Sequence, residues 1–102
     1  MFKTDIFVDG EFIEEPDVQK WTEWWSEIEN FRVAYKEQGN ICVSTLVLIV
    51  DIFGLRFETM VFGGKFDRSQ ERYKTLEDAM AGHTRWCNKV FVELHDNQES
   101  KS

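Results

Sequence analysis

Between Ile41 and Gly64 the chain reads ICVSTLVLIVDIFGLRFETMVFGG, two stretches rich in β-branched and aromatic residues separated at Asp51–Leu55. The first alternates and then becomes apolar at every position through Val50, the pattern of a strand with neighbours on both sides. The second, Arg56–Phe62, is stopped by Gly63-Gly64. Two strands joined by a short turn pair antiparallel. The rest of the chain must therefore be arranged around a central antiparallel pair.

The flanks supply the cover. Ile6–Ile13 carries apolar residues on both sides of Asp9-Gly10, a strong hairpin signal. After Pro16, the residues Val18, Trp21, Trp25 and Ile28 recur at helical spacing over Asp17–Glu29, with Asp17 as N-cap. This stripe is the expected inner face, and Trp24 beside it is the tryptophan expected to be exposed. Phe31–Lys36 alternates as a strand with one wet face, and Gln38-Gly39-Asn40 is a turn. Lys65–Arg72 is polar and reads as a loop. Thr75–Asp78 opens a helix in capping-box fashion, and Leu76, Met80, His83, Cys87, Val90 and Leu94 follow as its apolar stripe. Residues 96–102 are polar and read as a frayed tail. The order β-β-α-β-β-β-α predicts one α+β domain over 1–102: two layers, an antiparallel β-meander packed against two amphipathic helices.

A chain of 102 residues, 42% hydrophobic and 15% aromatic, can bury one modest core and has no disordered composition. Leu46–Val50 is too short to span a bilayer, and Met1–Gly10 lacks the apolar core of a signal peptide. These features predict a cytoplasmic protein with no membrane partner. Cys42 and Cys87 lack metal-ligand spacing and read as reduced thiols. No metal or cofactor is expected.

Charge divides the chain. Residues 1–29 hold nine acids against Lys3 and Lys20, which accounts for the whole net charge of −7; residues 30–102 are balanced. An acidic N-terminal surface repels nucleic-acid backbone and favours an electropositive protein partner, although charge runs also simply solvate. The candidate partner-binding residues are Glu14, Glu15, Asp17, Glu23, Trp24, Glu27 and Glu29, with Trp24 as an aromatic anchor.

Three features point to a second candidate site. His83 precedes Cys87 by one helical turn, a spacing that suits a nucleophile–base pair, half a zinc site, or a structural histidine bonded to a strand. Gly82 beside it is costly in mid-helix and suggests a close approach by backbone or ligand. Glu58 faces away from the helices if Phe57, Thr59 and Val61 face them, and points at the core in the opposite register. In the latter case Arg72, Tyr73 and His83 are its natural partners, making Glu58, Arg72, Tyr73 and His83 a candidate ligand-binding cluster.

The segments FETMVFGG (Phe57–Gly64) and RYKTLEDAMAGH (Arg72–His83), with VSTLVLIVDIFG (Val43–Gly54) more weakly, resemble a family of small proteins of tailed phages and prophages. About 40 of the 102 residues carry the likeness. It departs at Asp51–Leu55, where the family has a longer glycine- and proline-rich loop with a histidine; here Ile52 follows Asp51. The resemblance implies the cytoplasm of a bacterial host. Together with the charge it suggests a binding protein that antagonises a host factor. An anti-CRISPR-like inhibitor of a defence complex with a basic surface fits. The alternatives are a small-ligand or nucleotide-binding protein or enzyme using Glu58 and His83, and a structural homo-oligomer.

Overall fold

A computed structural model of the chain describes residues 3–99, with side chains through Phe91. Strands β1 (Asp5–Val8) and β2 (Glu11–Glu14) form a hairpin closed by Asp9 and Gly10, both at positive φ. Helix α1 (Val18–Ser26) follows, its N-terminus capped by the Asp17 carboxylate, which accepts from the Gln19 and Lys20 amides. A four-residue helix α2 (Ile28–Phe31) leads into β3 (Arg32–Gln38), β4 (Ile41–Ile52), β5 (Leu55–Phe62) and β6 (Gln70–Tyr73). These four strands form one antiparallel meander in chain order, and α3 (Leu76–Glu99) lies across it. The architecture is the expected α+β one. Among the described residues no helix is long and apolar enough to cross a membrane.

Four local expectations are corrected. The single helix over Asp17–Glu29 is broken at Glu27, whose backbone is extended. That break turns Ile28 outward and brings Phe31 against Trp25, with ring centres 5.5 Å apart. Val18 is 62% exposed, so the inner face consists of Trp21, Trp25 and Phe31 rather than the full stripe. The Lys65–Arg72 loop contains most of β6, a charged edge strand whose sequence QERY carries no run of apolar residues. On α3 the expected stripe holds at Leu76, His83, Cys87 and Val90 and fails at one position. Ala79 is fully buried and Met80 is 56% exposed. The helix continues through Glu99; the side chains of Leu94 and of the expected frayed tail at 96–102 lie outside the described ones.

The period of two in β4 and β5 sets which residues meet α3. Val43, Thr45 and Val47 of β4 lie opposite Val61, Thr59 and Phe57 of β5, and all six are buried. Their valines and Phe57 anchor two apolar clusters. One joins Val43 and Val61 to Cys87, Val90 and Phe91; the other joins Val47 and Phe57 to Tyr73 and Ala79. The N-terminal hairpin extends the second cluster through Phe7 and Phe12, whose rings meet Phe57 at 5.5 and 5.9 Å. Two indoles hold that hairpin in place. Trp21 and Trp25 both donate to the Asp5 carbonyl oxygen, at 3.0 and 2.9 Å. The Asp5 carboxylate in turn binds the buried Arg56 guanidinium with two hydrogen bonds, and Arg56 also donates to the Leu48 carbonyl.

Candidate functional site

Between the two apolar clusters lies a polar layer. Thr45 and Thr59 are fully buried and their hydroxyls are 2.6 Å apart. Thr45 Oγ1 lies 2.8 Å from His83 Nδ1, and His83 Nε2 lies 3.4 Å from Cys87 Sγ. On the other side Tyr73 Oη lies 3.1 Å from Thr59 Oγ1 and 3.2 Å from Glu71 Oε1. Arg85 and the Trp86 indole also donate to Glu71 Oε1. The layer thus ties β4, β5, β6 and α3 together by side chains alone.

Counting protons fixes the direction of the chain. The Glu71 carboxylate only accepts, so the single Tyr73 proton goes to it. Thr59 then donates to the phenol oxygen, Thr45 to Thr59, and His83 Nδ1–H to Thr45. His83 Nε2 then faces the Cys87 sulfur, accepting from a thiol or, when protonated, donating to a thiolate. The reverse order would set the phenol oxygen against the carboxylate, two acceptors at 3.2 Å. One ordering of the hydroxyl protons satisfies every contact from Glu71 to His83.

Electrostatics agree with that ordering. Burial lowers the His83 pKa below its ordinary 6.5, and the Lys36 charge lowers it further. Burial raises the Cys87 thiol, with Lys36 only partly opposing it. Tyr73 is raised by burial and then by the nearby Glu71 charge. Burial pushes Glu71 up, but hydrogen bonds from Trp86, Arg85 and Tyr73 outweigh it and hold the carboxyl low. A thiolate–imidazolium nucleophile requires the opposite pair of shifts. Both shifts favour the neutral thiol–imidazole pair. Among the described residues no cluster of three or more His, Cys, Asp or Glu could hold a metal, and Cys42 and Cys87 are free.

The sheet divides the cluster expected of Glu58, Arg72, Tyr73 and His83. Phe57, Thr59 and Val61 face α3, so Glu58 faces away, the first of the two registers considered above. It pairs across β5–β6 with Arg72, directly opposite in register, at 2.8 Å. Tyr73 and His83 belong to the polar layer on the other face, linked through the two threonines. Gly82 has its reason there: a Cβ would lie 2.2 Å from Tyr73 Oη. The close approach is by a side chain of this chain. Thr45, Thr59, Glu71, Arg85 and Trp86 escaped the sequence reading. The signal for the threonines was present, since each is the middle residue of an inward-facing apolar triplet.

The residues expected to bind a partner lie on the surface of the N-terminal unit. Glu14, Asp17, Glu23, Glu27 and Glu29 are exposed and Glu15 is half-buried. Glu29 pairs with Arg32 at 3.1 Å. Trp24 is half-buried, edge-on to Trp25 with ring centres 4.8 Å apart, so it is a weaker anchor than an exposed indole. Compared with known proteins, the chain matches no family model, no curated protein and no solved structure.

Proposed function

We propose that this protein is a small acidic binding protein whose N-terminal hairpin and first helix engage a cation-rich protein surface. The observation that carries this reading is the uneven placement of charge: residues 1–29 carry the whole net charge of −7. Most of their acids are unpaired, although Glu37, Asp51, Glu77 and Asp78 elsewhere among the described residues also meet no cation. In the sheet and α3, the semi-buried acids Glu58 and Glu71 each hold an arginine, and Asp5 is neutralised by Arg56. Asp9, Glu11, Glu14, Glu15, Glu23 and Glu27 meet no cation among the described residues. Repulsion among unpaired acids is relieved when a basic surface covers them. In the phage setting that the sequence resembles, the partner is a host factor. A bacterial defence complex with a basic nucleic-acid channel offers such a surface, and the protein then acts as an anti-CRISPR-like inhibitor in the host cytoplasm. The test is affinity capture from host lysate by wild type and by a Glu11, Glu14, Glu23, Glu27→Gln variant at low and high salt. Wild type should retain a stoichiometric partner only at low salt, and the variant none.

One observation supports a second reading. A groove of about 370 Å³ between β6 and α3 is lined by Glu71, Arg72, Tyr73, Lys74, Asp78 and Arg85. Arg72 and Arg85 are held by Glu58 and Glu71, so a small anionic ligand such as a nucleotide would meet Lys74 first and share the two arginines with their carboxylates. This reading expects binding that is sensitive to Lys74→Gln and Arg85→Gln and indifferent to the N-terminal glutamates.

A further inference from the structure

Strand β4 outruns its neighbours. Its pairing with β5 is regular from Cys42↔Phe62 to Val47↔Phe57 and resumes only at Ile52↔Leu55. Leu48–Asp51 therefore stand opposite Arg56 alone, a large bulge that projects the hairpin tip. Ile49 and Val50 are exposed on it, and the tip itself is Phe53-Gly54.

Phe53 is the wrong residue for the monomer. Both turn residues have positive φ, +54° at Phe53 and +82° at Gly54. That turn favours Asn-Gly or Asp-Gly, and a bulky side chain at positive φ is a true outlier. Phe53 is also 95% exposed, so burial gives nothing back. A strained and fully exposed aromatic gains only if something outside the protomer covers it.

An open cavity adjoins the same hairpin. A cavity of about 530 Å³ is lined by Phe12, Ile49 and Val50, with Lys3, Asp51 and the Asp5–Arg56 pair around them. Asp51 is two residues from Phe53, so the hole adjoins the base of the β4–β5 tip that carries the knob. The two cations and two acids of the lining cancel, in a chain whose net charge is −7. A patch of neutral charge is where two copies can meet with least repulsion.

We propose that the face is covered by a second copy of this chain. A two-fold axis lying in the face, midway between knob and hole, sends Phe53 of each protomer into the Phe12–Ile49–Val50 cavity of the other. The contact is small: an aromatic anchor covers about 150–250 Å², so the dimer falls in the weak class, below about 1,200 Å² in total. It goes beyond the acidic-surface reading and has the opposite salt dependence. Salt screens repulsion between net-negative copies and strengthens the dimer, whereas it weakens capture of a cationic partner.

Sedimentation velocity on the whole chain, from about 10 µM to about 1 mM at two salt concentrations, tests it. Wild type should shift from monomer toward dimer across that range, more strongly at high salt. Phe53→Asn, which suits the turn, should stay monomeric and melt no lower than wild type. Val50→Asp, which places a charge in the hole, should also stay monomeric. A wild type that is monomeric throughout overturns the proposal. So does a Phe53→Asn variant that dimerises as wild type does. If wild type stays monomeric and Phe53→Asn loses a captured host protein, the finger serves that protein and the dimer is refuted.

Discussion

Replacing Gly82 by alanine sets two effects of opposite sign against each other. Helix propensity alone favours alanine in mid-helix by about 1 kcal/mol. The structure places the new Cβ 2.2 Å from Tyr73 Oη, 2.3 Å from Cζ and 2.4 Å from Cε1. These distances are more than about 1 Å inside ordinary contact. Tyr73 cannot swing aside cheaply, because it is only 6% exposed and its hydroxyl is held by Thr59 and Glu71. Overpacking costs about 1–3 kcal/mol, and loss of two hydrogen bonds adds about 1 kcal/mol each. The net expectation is destabilisation by roughly 2–4 kcal/mol, a drop in urea midpoint of about 1–2 M. In a Tyr73→Ala background the obstruction is gone, and Gly82→Ala should raise the midpoint. Urea titration followed by far-UV circular dichroism on all four chains gives both numbers. A Gly82→Ala single variant that is stabilised would refute the reasoning, as would an equal loss in both backgrounds.

Further outcomes follow from the polar layer and the buried ion pair. Thr59→Val removes the middle hydroxyl of the chain, leaving Thr45 and Tyr73 each short of a neighbour. It should cost about 1–3 kcal/mol, measured by the same titration, even though valine suits a strand. Asp5→Ala leaves the Arg56 guanidinium buried without its counter-ion and should cost about 3–5 kcal/mol, while Asp5→Leu with Arg56→Met should recover most of it. Because the folded-state pKa of His83 lies below its ordinary 6.5, its contribution is fully present above about pH 6.5. It is lost as pH falls from there through the folded value, since the unfolded chain takes up the proton first. The difference in melting temperature between wild type and His83→Gln should therefore shrink between pH 8 and pH 5. Phe53→Asn should stabilise the isolated protomer by about 1 kcal/mol by relieving the left-handed strain.

What could be read from the sequence divides along physical lines. The β4–β5 pair, the Asp9-Gly10 hairpin and the helix at Thr75 were legible because alternation, turn chemistry and capping are local. The strand Gln70–Tyr73 was not, because an edge strand buries little and its two inward residues, Glu71 and Tyr73, serve hydrogen bonds. The break at Glu27 was hidden by a helical spacing that continues through Ile28, and Phe31 packing on Trp25 overrides it. For the site, the parity of β5 decided Glu58 in advance, once Phe57 and Val61 are assigned to the core. The polar chain from Cys87 to Glu71 joins residues from β4, β5, β6 and α3, and long-range closure of that kind leaves no periodic trace. Its visible signs were His83 on an apolar stripe, the threonines inside apolar triplets, and Gly82, whose cause was the Tyr73 phenol.

The central claim is that the unpaired acids of the N-terminal unit form a binding surface, and capture with charge-neutralised variants tests it most directly. Tagged wild type, the Glu11, Glu14, Glu23, Glu27→Gln variant and a Lys74→Gln, Arg85→Gln variant would be compared in host lysate at low and high salt, with mass spectrometry. The account expects one stoichiometric protein held by wild type and by the Lys74/Arg85 variant at low salt, released at high salt, and absent from the glutamine variant. A protein that the glutamine variant retains as well as wild type, or a wild-type bait that comes back clean at low salt, would contradict it.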